Sequence, residues 1–349
     1  MTRLTSPLRR RLLLAVPALA ILTACGGGAV APRPSVTDRH VALKSGITLH
    51  VRDWSKLQGN DTDVIVLLGG LGANAHAWDS LAPALARRYR VLAITRRGYG
   101  QSGKPAPVDA STYAPATLAA DLLAVLDALD IRRVILAGHS IAGNEVTLFA
   151  GSHPQRVRGV VYLDTTFDYA NTPPWPIDRD IDEELLAPPA PTPADMASMT
   201  ASIAYARLLQ KRWWPATEAW WRDSLVVLPD GSVRPNTPDD VAASMDLLAH
   251  AFSPDYRPVR APALVIHADP GSLRDMLPWL TPHSAPAVVA EANRYLRAYR
   301  QAHAADCARI ARALPGSTLL TIANANHSDF LMEYESTVVA AIDAMRWAS

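Results

Sequence analysis

From Asp63 onward, short runs of consecutive apolar residues alternate with stretches whose apolar positions recur every three or four residues. Six runs predict strands: Val64–Leu68, Val91–Ile94, Val134–Ala137, Val160–Leu163, Ala263–Ile266 and Thr318–Ile322. A continuously apolar strand is covered on both faces, which places these in a mostly parallel sheet between two helix layers, an α/β fold. Leu118, Leu122, Leu126 and Leu129 form a helical stripe between the second and third runs, and Leu331, Tyr334, Val338, Ile342 and Met345 form another at the C-terminus. Upstream, Val41 and Leu43 fall at alternate positions, as do Leu49 and Val51. Two strands joined at Ser45-Gly46 are therefore expected over Val36–Trp54.

One stretch breaks this rhythm. Between Thr165 and Arg260 the chain is rich in Pro, Trp and Met and shows no strand pattern, which predicts a largely helical cap inserted above the strand ends. Pro173, Pro174, Pro176 and the prolines from Pro188 to Pro193 limit continuous helix at its opening. Trp213-Trp214 and Trp220-Trp221 stand seven apart, a spacing that suggests one helical face packed inside the cap. A lid facing an apolar ligand is the alternative.

The N-terminus differs from the rest. Arg3, Arg9, Arg10 and Arg11 precede an apolar run, Leu12–Leu22, that is too short for a permanent membrane span. Leu22-Thr-Ala-Cys25 followed by three glycines resembles the lipobox of bacterial lipoproteins, which implies acylation of Cys25 and attachment at the cell envelope, with the outer membrane favoured. An ordinary secretory signal is the plainer alternative. The chain then divides into a leader 1–24, a tether 25–35, a first core part 36–164, the cap 165–260 and a second core part 261–349. The whole sequence has 34 Lys and Arg against 33 Asp and Glu, and without the four leader arginines the formal charge becomes −3. No basic cluster occurs in the body, so no nucleic-acid partner is expected. Cys307 is the only cysteine besides Cys25, and it falls in an expected helix as a packing residue.

Chemistry concentrates at three places. Val134-Ile-Leu-Ala-Gly-His-Ser-Ile-Ala-Gly143 leads an apolar strand into Ser140 and out into an apolar helix. Leu67-Leu-Gly-Gly-Leu-Gly72 follows the first parallel strand, and Thr95-Arg-Arg-Gly-Tyr-Gly-Gln-Ser102 follows the second. In this order they resemble the nucleophile elbow, oxyanion loop and D-x-R-G-x-G-x-S turn of the α/β-hydrolase fold family. Ala142 stands where the elbow usually has its last Gly, Gly69-Gly70 where the family often has His-Gly, and Thr95 where it has Asp. The resemblance implies Ser140 as nucleophile, with the backbone N–H groups of Leu71 and Ile141 stabilising an oxyanion. It assigns the Thr95–Ser102 turn to scaffolding.

The family order of nucleophile, acid and histidine implies His327 as base, because it alone follows the last apolar strand in a short polar loop. The acid is Asp164 or Asp269. Asp164 follows Val160-Val-Tyr-Leu163 directly, the location used by haloalkane dehalogenases. Asp269 lies near the commoner G-x-x-D location but two positions early, since that pattern puts Gly271 on the Asp. Asp164 is the first choice, with Asp168 behind both. His76, His267 and Trp279 are candidate pocket residues. No histidine spacing suggests a metal site, and no cofactor is implied.

The resemblance implies hydrolysis of a carboxylic ester or related acyl compound through an acyl-enzyme. A Ser nucleophile separates the chain from the epoxide-hydrolase and dehalogenase branches, which use Asp there. The Trp, Leu and Met of the cap suggest a small-molecule substrate with an apolar acyl or aromatic group. A surface-anchored binding protein on a hydrolase scaffold is the alternative of a different class.

Overall fold

The computed structural model describes residues 34–56, 63–165, 168, 170 and 181–348. The leader 1–24, Cys25 and most of the tether lie outside the described residues, as do Pro173, Pro174, Trp175 and Pro176. Two strands, β1 (Val36–Ala42) and β2 (Thr48–Trp54), pair antiparallel about a turn in which Gly46 takes a φ of 85°. They are followed by β3 (Val64–Leu68), β4 (Arg90–Ile94), β5 (Val134–His139), β6 (Val157–Leu163), β7 (Leu225–Val227), β8 (Val233–Pro235), β9 (Ala263–Asp269) and β10 (Thr318–Ala323). Eight of these form one sheet in the order β1-β2-β4-β3-β5-β6-β9-β10, parallel from β4 to β10.

Alternation explains why the central strands are apolar throughout. Val64, Val66 and Leu68 of β3 enter one core with Leu136, Val160 and Tyr162, while Ile65 and Leu67 enter another with Ile135, Ala137 and Leu163. Successive side chains point to opposite faces, and both faces are covered. The first face is covered by α2 (Pro115–Ala128) and α3 (Ala142–Ser152), the second by the short α1 (Leu81–Leu85) and the C-terminal helix. β10 departs from this expectation. It is the sheet edge, and Leu319 is exposed there, so an apolar run did not mean burial on both sides.

The segment 181–260 holds α4 (Glu183–Leu186), α5 (Met199–Leu208), α6 (Pro215–Asp223) and α7 (Asp239–His250). It also holds the β7–β8 hairpin, which the sequence pattern did not predict because three-residue strands are too short to show alternation. The hairpin is set by its turn: Gly231 has a φ of 87° and Asp230 accepts from the Ser232 amide and hydroxyl. After β9 come α8 (Leu273–Met276) and α9 (Pro286–Ala313), then, after β10, α10 (Phe330–Glu333) and α11 (Glu335–Ala344). The C-terminal stripe thus spans two helices broken at Tyr334, with Leu331, Val338 and Ile342 buried as one face. Among the described residues, no helix is long and apolar enough to cross a membrane.

Register decides what meets at the carboxyl edge of the sheet. His139 pairs with Leu163, and Leu163 with Ile266. Ser140 and Asp164 therefore leave adjacent strands side by side, and β9 and β10 end together at Asp269 and Ala323. In open α/β sheets this edge is where ligands bind.

Candidate active site

Ser140 sits at the corner between β5 and α3 with a φ of 55°, a left-handed conformation uncommon for a residue other than Gly. Its amide is held by the Leu163 carbonyl at 3.1 Å, so the neighbouring strand fixes the corner. The turn is too tight for bulk. A Cβ at Gly138 would lie 2.8 Å from Val146 Cγ2 and 3.0 Å from the Ala142 backbone, and one at Gly143 would overlap Thr165. Backbone strain of this kind persists only where the surrounding structure holds it in place.

His327 Nε2 lies 3.0 Å from Ser140 Oγ, and His327 Nδ1 lies 2.6 Å from Asp164 Oδ2. With Nδ1–H donating to the carboxylate, Nε2 offers its lone pair to the Ser140 hydroxyl, a tautomer assigned from the network. Asp164 is fully buried, has a φ of 48°, and accepts from the Ala268 amide at 3.0 Å through Oδ1. His303 Nε2 approaches the same oxygen at 3.4 Å. Burial works to raise the Asp164 pKa, but the His303 and His327 imidazoles outweigh it and hold the carboxyl well below its ordinary range.

Of the two acids the sequence offered, Asp164 is therefore the one that reaches His327. Asp269 ends β9 and faces Arg300 at 3.8 Å. Gly271, where the commoner pattern would put the acid, packs on Asn324 with no room for a Cβ.

The loop bearing His327 is set by its neighbours. Asn324 takes a φ of 59°, which Asn tolerates better than most residues. Asn326 donates to the Asp275 carbonyl at 2.7 Å and accepts from the amides of Ser328 and Asp329. His139, which the sequence left as the variable residue of the elbow motif, donates from Nε2 to the His327 carbonyl at 2.8 Å and packs on its ring. Burial, with His327 beside it, pushes His139 down to about 3, so its ring stays neutral.

Leu71 and Ile141 flank Ser140, and among the described residues no hydrogen bond takes up the amide of either. Gly70 brings the first loop against the corner: a Cβ there would lie 3.0 Å from Ser140 Cβ and 3.3 Å from His139 Nδ1. Arg96 holds this loop. Its guanidinium donates to the carbonyls of Gly69 and Gly70 and pairs with Glu145 of α3 at 2.6 Å, all buried. Burial pushes the Glu145 carboxyl up, against the pull of Arg96. Thr95 Oγ1 accepts from the Ala75 amide at 2.8 Å, and Arg97 grips Asp121 with two bonds of 2.6 Å. The Thr95–Ser102 turn thus ties neighbouring segments together, and Arg96 within it fastens the Gly69–Gly70 loop, which no motif announced.

A cavity of about 250 Å³ opens above Ser140, lined by Leu71, Trp220, Leu331 and Met332 with His327 and Asp329. Trp220 corrects the packing expectation for the tryptophans. Trp213 and Trp214 precede α6 and share no helical face with it, and all four are half-buried. Trp220 lines the cavity and donates from Nε1 to the Gly72 carbonyl at 2.9 Å, while Asn74 returns a bond to the Trp220 carbonyl. His76 pairs with Asp79, and His267 and Trp279 pack away from the cavity, against His303 and within the α8–α9 cluster respectively.

Residues 63–197 match the family model described as alpha/beta hydrolase fold. Bifunctional epoxide hydrolase 2 of Mus musculus is 34% identical over 133 residues, which is 38% of this chain and 23% of that protein. The 2-hydroxy-6-oxononadienedioate/2-hydroxy-6-oxononatrienedioate hydrolase of Paraburkholderia xenovorans is 32% identical over 134 residues, 36% of this chain and 44% of its own. The chain thus matches less than half the length of either relative. The solved structure of E-2-(acetamidomethylene)succinate hydrolase superposes on 89% of this chain and 100% of its own with a TM-score of 0.59 at 20% identity, a likeness of fold alone. With its eight-stranded sheet order, the strained serine corner and the family match over residues 63–197, the chain has the α/β-hydrolase fold, and the match supports its place in that family.

Proposed function

We propose that the protein is a serine hydrolase acting on a carboxylic ester or related acyl compound. The observation that carries this reading is the unbroken contact chain from Ser140 Oγ through His327 to buried Asp164. Ser140 Oγ attacks the acyl carbonyl while His327 Nε2 takes its proton, and the carbonyl electrons move onto oxygen. The N–H groups of Leu71 and Ile141 receive that oxyanion. The tetrahedral adduct collapses with proton return from His327 to the leaving alcohol, and water repeats the sequence to free the acid and Ser140. Asp164 keeps Nδ1 protonated and stabilises the imidazolium without itself taking the proton.

The relatives named above act on epoxides and on oxo-dienedioates by their names; a serine at the elbow supports the acyl reading for this chain. The cavity is smaller than the roughly 300–1,000 Å³ of drug-sized sites. With Leu71, Trp220 and Met332 around it, it suits a short acyl chain or one aromatic ring. We further propose that Cys25 carries a lipid anchor at the cell envelope, tested by membrane partitioning of Cys25→Ser.

Labelling the protein with a fluorophosphonate and mapping the modified peptide tests the acyl-enzyme reading. Label on Ser140 that disappears in His327→Ala supports it. A folded protein that takes no label at Ser140 removes it, and a non-catalytic binding role on the same scaffold takes its place.

A further inference from the structure

Behind the acid of this site, on the side away from the cavity, β9 and α9 bring three donor side chains together. His267 points from β9, and His303 and Cys307 lie one turn apart on the facing side of α9. One donor atom from each falls within 4.8 Å of the others. His267 is 1% exposed, yet neither ring nitrogen has a hydrogen-bond partner. A buried imidazole in that condition forfeits bonds it makes in water, so its nitrogens call for an occupant. The His267 and His303 rings meet edge to face at 4.8 Å between centroids, and Tyr299 stacks on His303 at 5.5 Å, which limits how far either ring can turn away.

We infer that His267, His303 and Cys307 form a binding site for a single zinc-like cation. Two imidazoles and a thiol match the borderline-to-soft preference of Zn²⁺ and exclude Mg²⁺ and Ca²⁺, which take oxygen ligands. A tetrahedral ion at Zn–N and Zn–S bond lengths spaces its donors roughly 3.3–3.6 Å apart. Closing from 4.8 Å takes side-chain adjustments on the order of 1 Å. Three protein ligands leave one position open, and Cys307, only half-buried, gives the ion a way in. The Cys307 thiol gives up its proton to the solvent as the metal–sulfur bond forms, with no change of oxidation state. Sequence spacing concealed the site because only the His303–Cys307 pair has a helical interval, and His267 arrives from a different element. The site does not depend on what Ser140 does.

Titration of the full chain with Co²⁺, followed by its thiolate charge-transfer and visible bands, tests the site. Cys25 supplies the only other thiol, so Cys25→Ser runs in parallel. One Co²⁺ per chain is expected in both proteins, displaced by one equivalent of Zn²⁺, with the charge-transfer band lost in Cys307→Ser. His267→Asn weakens binding by more than about tenfold, the least that losing even an outer-shell partner costs. The inference is overturned if no band develops, if Cys307→Ser keeps it, or if Cys25→Ser abolishes it. It is also overturned if folded His267→Asn, checked by circular dichroism, binds Co²⁺ as wild type does.

Discussion

Asp164 Oδ2 lies 2.6 Å from His327 Nδ1, and the two residues come from the ends of different strands, β6 and β10, separated in the sheet by β9. The bond requires Asp164 to turn back in a left-handed conformation, φ 48°, and burial leaves the carboxylate no competing solvent. Asn in its place keeps the shape but can donate to Nδ1, which favours the wrong imidazole tautomer. Asp164→Asn is expected to lower kcat for ester hydrolysis by about 10⁴ with little change in KM. Asp269→Asn is expected to leave it within about twofold, because surface-accessible ion pairs of this kind contribute little. Steady-state kinetics of the two variants on one ester decides between these carboxylates.

Gly70 allows the first loop to lie against Ser140, and its missing side chain is the reason. A Cβ added at this position would stand 3.0 Å from Ser140 Cβ and 3.3 Å from His139 Nδ1, tighter than ordinary packing contacts, so the loop or the Ser140 corner must give by a few tenths of an ångström. Gly70→Ala is therefore expected to cost about 100- to 1,000-fold in kcat, the range for losing an oxyanion donor, while thermal unfolding changes little. A loss confined to KM, with kcat unchanged, would place the loop outside the reaction.

The parts of this architecture visible in the sequence are those with a local signature. Five parallel strands from Val64 to Asp269 announced themselves by apolar runs, and Ser140 by the small residues its corner demands. His327 was identified by its place after the last strand. The choice of acid was not local, because it depends on which carboxylate the register of β6 and β9 presents to His327. Arg96 gave no sign for the same reason: its partners, Gly69, Gly70 and Glu145, lie in two other segments. Trp220 looked like packing because heptad spacing says nothing about where α6 begins.

Arg96 and Glu145 form a buried ion pair whose worth lies in what else Arg96 holds. Removing one charge leaves the other buried and unpaired, so Arg96→Met is expected to destabilise by about 3–5 kcal/mol. Arg96→Met/Glu145→Leu removes both charges and is expected to recover most of that stability. It does not restore the grip on the Gly69 and Gly70 carbonyls. Chemical denaturation should thus show the double variant near wild type while its kcat stays low. Parallel recovery of stability and kcat would show that the carbonyl bonds do nothing for the oxyanion loop.

Asp329 lines the cavity two residues beyond His327, is 2% exposed, and has Oδ2 without a partner. Burial, with Glu333 beside it, pushes its carboxyl up to about 6 against the pull of Lys211. A raised folded pKa means that the folded state holds its proton over a range where the unfolded chain, at about 3.9, has released it. Below about pH 3 both states are protonated and Asp329 has no net effect. As pH rises from about 4 to about 6, the unfolded state gains by ionising first, and stability falls by at most about 3 kcal/mol. Asp329→Asn removes the titration. The variant is therefore expected to match wild type in thermal midpoint at about pH 3 and to exceed it at about pH 8, with the difference opening between. A difference that is constant with pH, or that closes as pH rises, would mean that Asp329 is already ionised and paired throughout this range.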